Sequence, residues 1–305
     1  MGPTASGKSD LALRLHEKLN IRIISVDSAL VYRGMNIGTA KPSQALLSQV
    51  PHDLVDICDP SDIYSAGRFY DDVLQCIKHA FERGECPLLV GGTFMYFKRL
   101  QAGVASLPPR DDAIRASIDG QAKVHGWEHL HKGLIEIDPK LAAHIHPNDR
   151  QRIQRGLEIA MITQKPPSEH WKESLSESGY QFLNMAVVPK NRALLHERIE
   201  KRMLDMVEAG FLEEVEYFFN QSHLHEQLPA MRLVGYRQFW SHLKGECSLD
   251  EAIYRSIVAT RQLAKRQLTW LRSWPNLQSF NLEDDNDITI KALIENAMQS
   301  LDLGE

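Results

Sequence analysis

Two short apolar runs, separated by a longer amphipathic segment, dominate the first hundred positions. Residues 21–26 and 88–90 are nearly continuous apolar stretches of strand length, which predicts two buried strands. Between them, from about Ser65 to Gly84, apolar side chains recur at a spacing of four: Phe69, Val73, Ile77 and Phe81. This spacing predicts a helix, and the order strand, helix, strand predicts an α/β fold with a parallel sheet.

The pattern changes near residue 107. From there to about residue 179 the apolar spacing is helical, and no segment has a convincing strand pattern. Strand character returns over residues 182–188. The predicted elements after it are helices near 191–209, 211–221 and 229–244, a long helix that starts at the capping box of Ser248 and Glu251, and a last strand near 277–282. We therefore predict a core domain (1–106 and 181–305) with an inserted all-helical domain (107–180).

Composition excludes several classes of protein. The chain has 305 residues, 43% of them hydrophobic, which is enough to bury a large core. It has neither a run of about 20 apolar residues nor an apolar leader, so we expect a cytoplasmic protein without membrane contact. The four cysteines have no C-x-x-C spacing, which argues against a zinc ribbon or a disulfide framework. The net charge of −5 argues weakly against nucleic acid as a partner, although a local basic face can override the sum.

A complete G-x-x-x-x-G-K-S phosphate-binding loop opens the chain. Its residues are Gly2, Pro3, Thr4, Ala5, Ser6, Gly7, Lys8 and Ser9. The glycines let backbone N–H groups turn towards an anion, Lys8 adds a positive charge, and Ser9 offers a hydroxyl to Mg²⁺. The next helix, with Leu11, Leu15 and Leu19 on one side, aims its positive end at the same point. The loop predicts a P-loop NTPase-like core with helices flanking the sheet, but it does not identify the phosphate compound.

The loop comes unusually early. A phosphate loop normally follows a buried strand, and only Met1 precedes it here. We therefore expect that the first strand is missing from this chain and that the sheet is less stable without it.

Two polar residues follow the predicted strands. Asp27 comes directly after residues 21–26, and Thr93 follows Gly91 and Gly92. Because ligands bind beyond the carboxyl ends of parallel strands, both should lie beside the phosphate loop. Asp27 could order Mg²⁺, cap a helix, or act as a general base. Thr93 could cap a helix or donate a hydrogen bond to a phosphate oxygen, and it could do both.

The basic residues are unevenly distributed. Residues 252–282 contain no acidic residue, and in the predicted helix Arg261, Lys265 and Arg272 share a face opposite an apolar one, with Trp270 offered for stacking. A smaller basic patch lies at Gln151, Arg152, Ile153, Gln154 and Arg155. Arg198 and Arg202, four residues apart on a helix, could clamp a diphosphate or pair with neighbouring glutamates.

Together these stretches resemble the bacterial-type tRNA dimethylallyltransferases. The resemblance lies in GPTASGKS (2–9), ISVDSALVYRGMNIGTAKP (24–42), LLVGGTFMYFK (88–98), HPNDRQRIQR (146–155), RLVGYRQFW (232–240) and ATRQLAKRQLTWLR (259–272). They occur in the family's order over nearly the whole chain. Phosphate-loop kinases share only the first of them.

The resemblance implies transfer of a dimethylallyl group from its diphosphate to N6 of the adenosine just 3′ of a tRNA anticodon. It implies that the loop holds diphosphate, with Ser9 on Mg²⁺, that Asp27 accepts the N6 proton, and that Thr93 with Arg198 or Arg202 steadies the leaving group. The tRNA contacts that it implies are Asp27, Ser28, Ala29, Leu30, Thr93, Arg115, Gln151, Arg152, Ile153, Gln154, Arg155, Arg232, Leu233, Val234, Gly235, Tyr236, Arg237, Lys265, Arg266 and Arg272.

Two alternatives remain open at this point. The phosphate loop alone would also suit an ATP-dependent small-molecule kinase, and the missing strand would suit a tRNA-binding module without chemistry. We expect a monomer, with tRNA and dimethylallyl diphosphate as partners.

Overall fold

The structure is a computed structural model that describes residues 1–103, 107–171, 179–281 and Lys291. Its strands are β1 (Ile21–Val26), β2 (His52–Asp53), β3 (Cys86–Gly91), β4 (Asn184–Val187) and β5 (Leu277–Phe280). Its helices are α1 (Lys8–His16), α2 (Gln44–Gln49), α3 (Ala66–Glu82), α4 (Phe94–Ala102), α5 (Asp112–His125), α6 (Trp127–Ile137), α7 (Pro139–Ala142), α8 (Arg150–Thr163), α9 (Arg192–Glu208), α10 (Phe211–Phe219), α11 (Tyr236–Leu243) and α12 (Leu249–Arg272). Pro167–Trp171 form a 3₁₀ helix.

Strand pairing is parallel throughout the described sheets. β1 lies between β2 and β3, with Ile23 opposite both His52 and Leu88, and β4 pairs with β5. The predicted parallel α/β fold is therefore confirmed. The sequence did not predict β2, because a two-residue strand has no periodicity to detect.

Met1 lies alongside β4. Its carbonyl accepts from the N–H of Val187 at 2.9 Å, and its ammonium group donates to the carbonyl of Met185 at 2.7 Å. A Cβ built on Gly2 would lie 2.9 Å from the carbonyl oxygen of Val187, so the start of the phosphate loop is packed against this strand. The expectation of a missing first strand stays a prediction.

The predicted helix α3 is present, with one error in its buried face. Ser65 caps it by accepting from the N–H of Arg68, and Phe69, Val73 and Ile77 are buried as predicted. Phe81 is 55% exposed. Each step of four residues turns about 40° beyond a full helical turn, so three steps carry the last position about 120° off the stripe. Ala80 takes the buried place instead.

Three predicted ends also move. α1 ends at His16, before Leu19, and β5 ends at Phe280; the predicted end at Leu282 lies outside the described residues. The helix predicted over 229–244 begins only at Tyr236, with turns before it. Gly235, directly before it, has a φ of 94°, which no continuing right-handed helix accommodates.

The chain separates into two compact units. The first comprises Met1–Arg99 and Tyr180–Glu305, and the second comprises Leu100–Gly179. The core of the second unit is formed mainly by helices α5 to α8, and no described residue of this unit lies in a strand. Its buried members are Ile118, Leu130, Leu134, Ala142, Ile145, Ile153 and Leu157. In the described residues no helix is both long and apolar enough to span a membrane.

Candidate active site

The first unit contains a cavity of about 650 Å³ at the carboxyl ends of β1 and β3. The phosphate loop forms one wall, and residues from α9, α12 and the turn before α11 form the others. Several polar side chains line the cavity, among them Lys8, Ser9, Asp27, Thr93, Arg202, Arg232, Arg266 and Gln267. The cavity therefore joins residues that lie more than 200 positions apart in the chain.

The backbone of the phosphate loop adopts the expected tight curl. Ala5 and Gly7 have positive φ values of 60° and 86°, and Gly7 is the residue directly before α1. A helix begins at Lys8, so its N-terminal N–H groups and dipole face the loop. This arrangement favours an anion in the cavity.

Lys8 is the buried cation of the site. Its ammonium group donates to the carbonyl of Pro3 at 3.2 Å. Burial lowers the pKa of Lys8 to about 8, Asp27 partly opposes this shift, and the nearby positive charge of Arg202 adds to it. Because its pKa lies close to neutral pH, the charged form of Lys8 is poorly stabilised by the protein. An anionic ligand would stabilise it.

Asp27 and Thr93 are brought together by the ends of β1 and β3. The Asp27 carboxylate accepts from the N–H of Ala29 at 2.8 Å, and the Thr93 hydroxyl oxygen accepts from the N–H of Ser28 at 3.0 Å. Thr93 Oγ1 also lies 3.3 Å from Ser28 Oγ. Thr93 therefore ties the two strand ends together.

The structure distinguishes the two arginines of α9. Arg202 lines the cavity and donates to the carbonyl of Thr39 at 3.4 Å, whereas Arg198 is not among the lining residues. Burial lowers the pKa of Arg202, while the negative charges of Asp27 and Asp10 raise it. Of the pair, Arg202 is thus the one placed to meet a bound anion.

The outer face of α12 is less uniform than its sequence indicates. Arg261 pairs with Glu200 at 2.6 Å, and Arg255 pairs with Glu251. Two arginines of residues 252–282 therefore pair with glutamates that lie outside this range. In the described part of the chain Lys265, Arg266 and Arg272 are exposed and have no acidic partner. Trp270, 38% exposed, lines the cavity beside them.

The turn before α11 forms part of the cavity wall. Arg232, Leu233 and Val234 line it, and Arg232 is exposed. Tyr236 also borders the cavity but is fully buried and donates its hydroxyl to Glu214 at 2.5 Å. Its side chain is thus held by the protein, and the expected contact of Tyr236 with tRNA stays a prediction. Gly235 is buried and Arg237 is exposed.

In the second unit, helix α8 carries the predicted basic patch. Glu158, which is fully buried, accepts from Arg115 and Arg155 at 2.8 and 2.7 Å. Burial by itself raises the pKa of Glu158, but these hydrogen bonds and that of the Asp111 N–H lower it to about 2. The two arginines are therefore bound to a carboxylate that is ionised at neutral pH.

Of the remaining members of this patch, Gln151 and Arg152 are exposed, and Gln154 donates to Asp119 at 2.7 Å. Ile153 is fully buried in the core of the unit. The expected contact of Ile153 with tRNA stays a prediction, and its buried side chain leaves only the backbone for it.

A sequence model of the IPP transferase family matches residues 30–274 of this chain. The chain belongs to the IPP transferase family.

Its similarity to known members covers almost its whole length. The tRNA dimethylallyltransferase of Coxiella burnetii (strain CbuG_Q212) is 51% identical over 290 residues, which are 95% of this chain and 96% of that protein. The crystal structure of the full-length tRNA isopentenylpyrophosphate transferase of Bacillus halodurans is 34% identical, with a TM-score of 0.72, covering 99% of this chain and 95% of that one. A eukaryotic dimethylallyltransferase solved acting on tRNA is 27% identical, with a TM-score of 0.82, covering 98% of this chain and 78% of that one.

Two residues of this IPP transferase site escaped the sequence analysis. The Glu214 carboxylate accepts from the N–H groups of Asn36, Ile37 and Gly38 at 2.8 to 3.0 Å and thereby fixes the loop that precedes the cavity residues 38–40. Gln267 bonds to the phosphate loop and to Gly92. Neither residue has a local sequence signal, because each acts on a backbone segment that is distant in the chain.

The lowered pKa of Lys8 leads to a prediction about pH. Inorganic diphosphate should bind with falling affinity above about pH 8, approaching tenfold per pH unit, because binding then requires protonation of Lys8. Lys8→Met should weaken binding and abolish this part of the pH dependence. It should also raise the melting temperature of the ligand-free protein at neutral pH, since a buried charged ammonium with a lowered pKa opposes folding wherever it is protonated.

Calorimetric titration and thermal melts across this pH range would measure both effects. The matched control is Lys18→Met, at an exposed lysine close by in the chain. A diphosphate affinity that does not respond to Lys8→Met would contradict the assignment of Lys8 to the anion.

Proposed function

We propose that this protein is a tRNA dimethylallyltransferase that transfers the dimethylallyl group of dimethylallyl diphosphate to N6 of the adenosine 3′-adjacent to the anticodon. Its family and its similarity to relatives named for this activity support the reaction. The observation that carries the proposal is a single cavity in which a phosphate loop, a carboxylate and residues of the basic helix α12 converge. Nothing in the comparisons supports the kinase alternative.

The phosphate loop serves the leaving group in this reaction. Breaking the allylic C–O bond puts negative charge on the departing diphosphate, and the most effective catalysis stabilises that charge with preorganised donors. The N-terminus of α1, Lys8 and Arg202 all face the cavity that would hold it. Diphosphate rather than ATP is the ligand we assign to this loop.

A Mg²⁺ ion fits this site through Ser9. The hydroxyl-bearing Ser9 lines the cavity, and the described residues contain no cluster of three or more His, Cys, Asp or Glu side chains that could hold a metal by themselves. Mg²⁺ commonly takes few protein ligands and completes its shell with phosphate oxygens and water. When bound, the ion would neutralise charge on the diphosphate.

Asp27 is the base in the proposed mechanism. Asp27 lies in the same cavity as Lys8 and Thr93. An adenine held in front of the diphosphate would therefore have its amino group within reach of the Asp27 carboxylate. Asp27 takes the N6 proton as the new C–N bond forms. Thr93 and Arg202 orient and steady the diphosphate.

The RNA is held on the other side of the cavity. Lys265, Arg266 and Arg272 supply exposed positive charge for phosphates, and Trp270 supplies an aromatic surface for a base. The target adenine must leave its stack to bring its N6 amino group to the dimethylallyl carbon, so it enters the cavity from this side. The predicted contacts of the second unit, among them Gln151 and Arg152, are kept in this proposal.

Mass spectrometry of anticodon-loop fragments tests the proposed function. After incubation with unmodified tRNA, dimethylallyl diphosphate and Mg²⁺, one adenosine should gain a dimethylallyl group and diphosphate should be released. ADP formation in the same mixture with ATP should be absent. Stoichiometric ADP release, or tRNA binding without product, would favour one of the two alternatives.

Asp27→Asn keeps the size of the side chain and removes the base. We expect the rate of transfer to fall about 10²- to 10⁴-fold, with little change in tRNA affinity. Single-turnover kinetics and a filter-binding assay would separate the two quantities. Asp71→Asn, at an exposed position of α3, is the matched control. A rate near wild type would make Asp27 a structural residue.

Charge reversal on α12 tests the RNA surface. Lys265→Glu combined with Arg272→Glu should lower tRNA affinity and flatten its dependence on salt, because fewer counterions are released on binding. Binding of inorganic diphosphate should persist, because neither residue lines the cavity. Lys18→Glu with Lys78→Glu changes the net charge equally at exposed positions elsewhere. If both pairs affect tRNA affinity alike, the α12 face has no special role.

A further inference from the structure

Gln267 is a buried polar residue in the middle of the apolar side of α12. Only 7% of it is exposed, and it lies between the buried Ala264 and Leu271 on the same helix. The buried side of an amphipathic helix normally carries apolar residues. Burying an amide is unfavourable unless its donor and acceptor are both satisfied, so its partners explain its presence.

Both ends of the amide are satisfied by backbone groups far away in the chain. The side-chain oxygen accepts from the N–H of Thr4 at 2.9 Å, in the phosphate loop. The side-chain nitrogen donates to the carbonyl of Gly92 at 2.9 Å, in the turn between β3 and α4. Thr93, the next residue, ties that turn to Ser28. One amide thus connects the phosphate loop to the segment that carries the cavity residue Thr93.

The packing around this amide is tight. A Cβ atom added to Gly92 would lie 2.4 Å from the Gln267 side-chain nitrogen and 3.2 Å from the carbonyl oxygen of Gly2. Gly92 therefore lets the strand end approach both the helix and the start of the loop. At neutral pH, glutamate lacks the donor and methionine lacks both groups, so glutamine meets a geometry that these side chains of similar length do not.

We propose that Gln267 is a positioning residue that fixes the phosphate loop against the end of β3 and thereby sets the affinity for diphosphate. It acts through the backbone of Thr4 and Gly92. Its helix neighbours Arg266 and Trp270 line the same cavity, so α12 orders the diphosphate side as well as the side assigned to RNA. The proposal rests on the proposed function only for the identity of the diphosphate-bearing substrate.

The first test removes both hydrogen bonds with little change in volume. In Gln267→Met we expect the affinity for inorganic diphosphate with Mg²⁺ to fall about tenfold, because the Thr4 and Gly92 backbone groups lose their partners and the loop loosens. The KM for dimethylallyl diphosphate should rise by a similar factor. The dissociation constant of an anticodon stem-loop RNA should stay within about twofold, since the exposed basic residues of α12 are untouched. Gln262→Met, at an exposed glutamine of the same helix, is the matched control.

The second test uses charge and pH. Gln267→Glu keeps an acceptor for Thr4 but places a carboxylate oxygen against the carbonyl of Gly92 and a negative charge beside the loop. It should weaken diphosphate binding more than Gln267→Met at neutral pH, and the deficit relative to wild type should shrink as the pH is lowered and the carboxyl regains a donor. A residue that served stability alone would show no such recovery.

Calorimetry on the folded proteins, with thermal melts recorded in parallel, decides the outcome. Wild-type diphosphate affinity in folded Gln267→Met, or the same loss in Gln262→Met, would overturn the proposal. If Gln267→Met does not fold and Gln267→Glu does, the proposal is overturned when the diphosphate affinity of Gln267→Glu does not recover towards that of the wild type at low pH. If the wild-type protein binds diphosphate but modifies no tRNA, the proposed function fails while the comparison of Gln267 variants still holds. A wild-type protein that binds no diphosphate would overturn both.

Discussion

The buried ammonium of Lys8 is the constraint on which the site depends. Burial lowers its pKa to about 8, and the negative charge of Asp27 only partly offsets the cost. Arg202, buried close by, adds a second positive charge that also needs compensation. An anion completes this arrangement, and a diphosphate that gains charge as its bond breaks completes it best. The concentration of positive charge in this site thus suits the transition state of the proposed reaction.

Helix α12 holds this arrangement in place. Ser248 caps its start by accepting from the N–H of Glu251, and its buried stripe packs against the core. From that stripe Gln267 reaches the phosphate loop and the end of β3, while Lys265 and its exposed neighbours point to solvent. In the proposed function, a single helix therefore supports the phosphate loop with one face and presents the charges assigned to RNA on another.

Much of this could be predicted because the signals are local. The strand at residues 21–26, the start of α3 near Ser65 and the phosphate loop depend on neighbouring residues and backbone geometry, and the structure has them at the predicted places. The exposed Phe81 and the late start of α11 show the limit of periodicity, since small rotations accumulate and a single positive φ stops a helix. The role of Asp27 stays a prediction, as do Mg²⁺, the monomeric state and the missing first strand.

The sequence by itself determined the class of the fold, the phosphate loop and the family, because these follow from short contiguous motifs and their order. The tertiary structure decided which residues act together. It selected Arg202 over Arg198 for the cavity, assigned Glu158 to Arg115 and Arg155, and placed Gln267 on the loop. Such choices depend on which side of a helix meets a distant backbone segment. That is a property of packing between elements, and local sequence does not encode it.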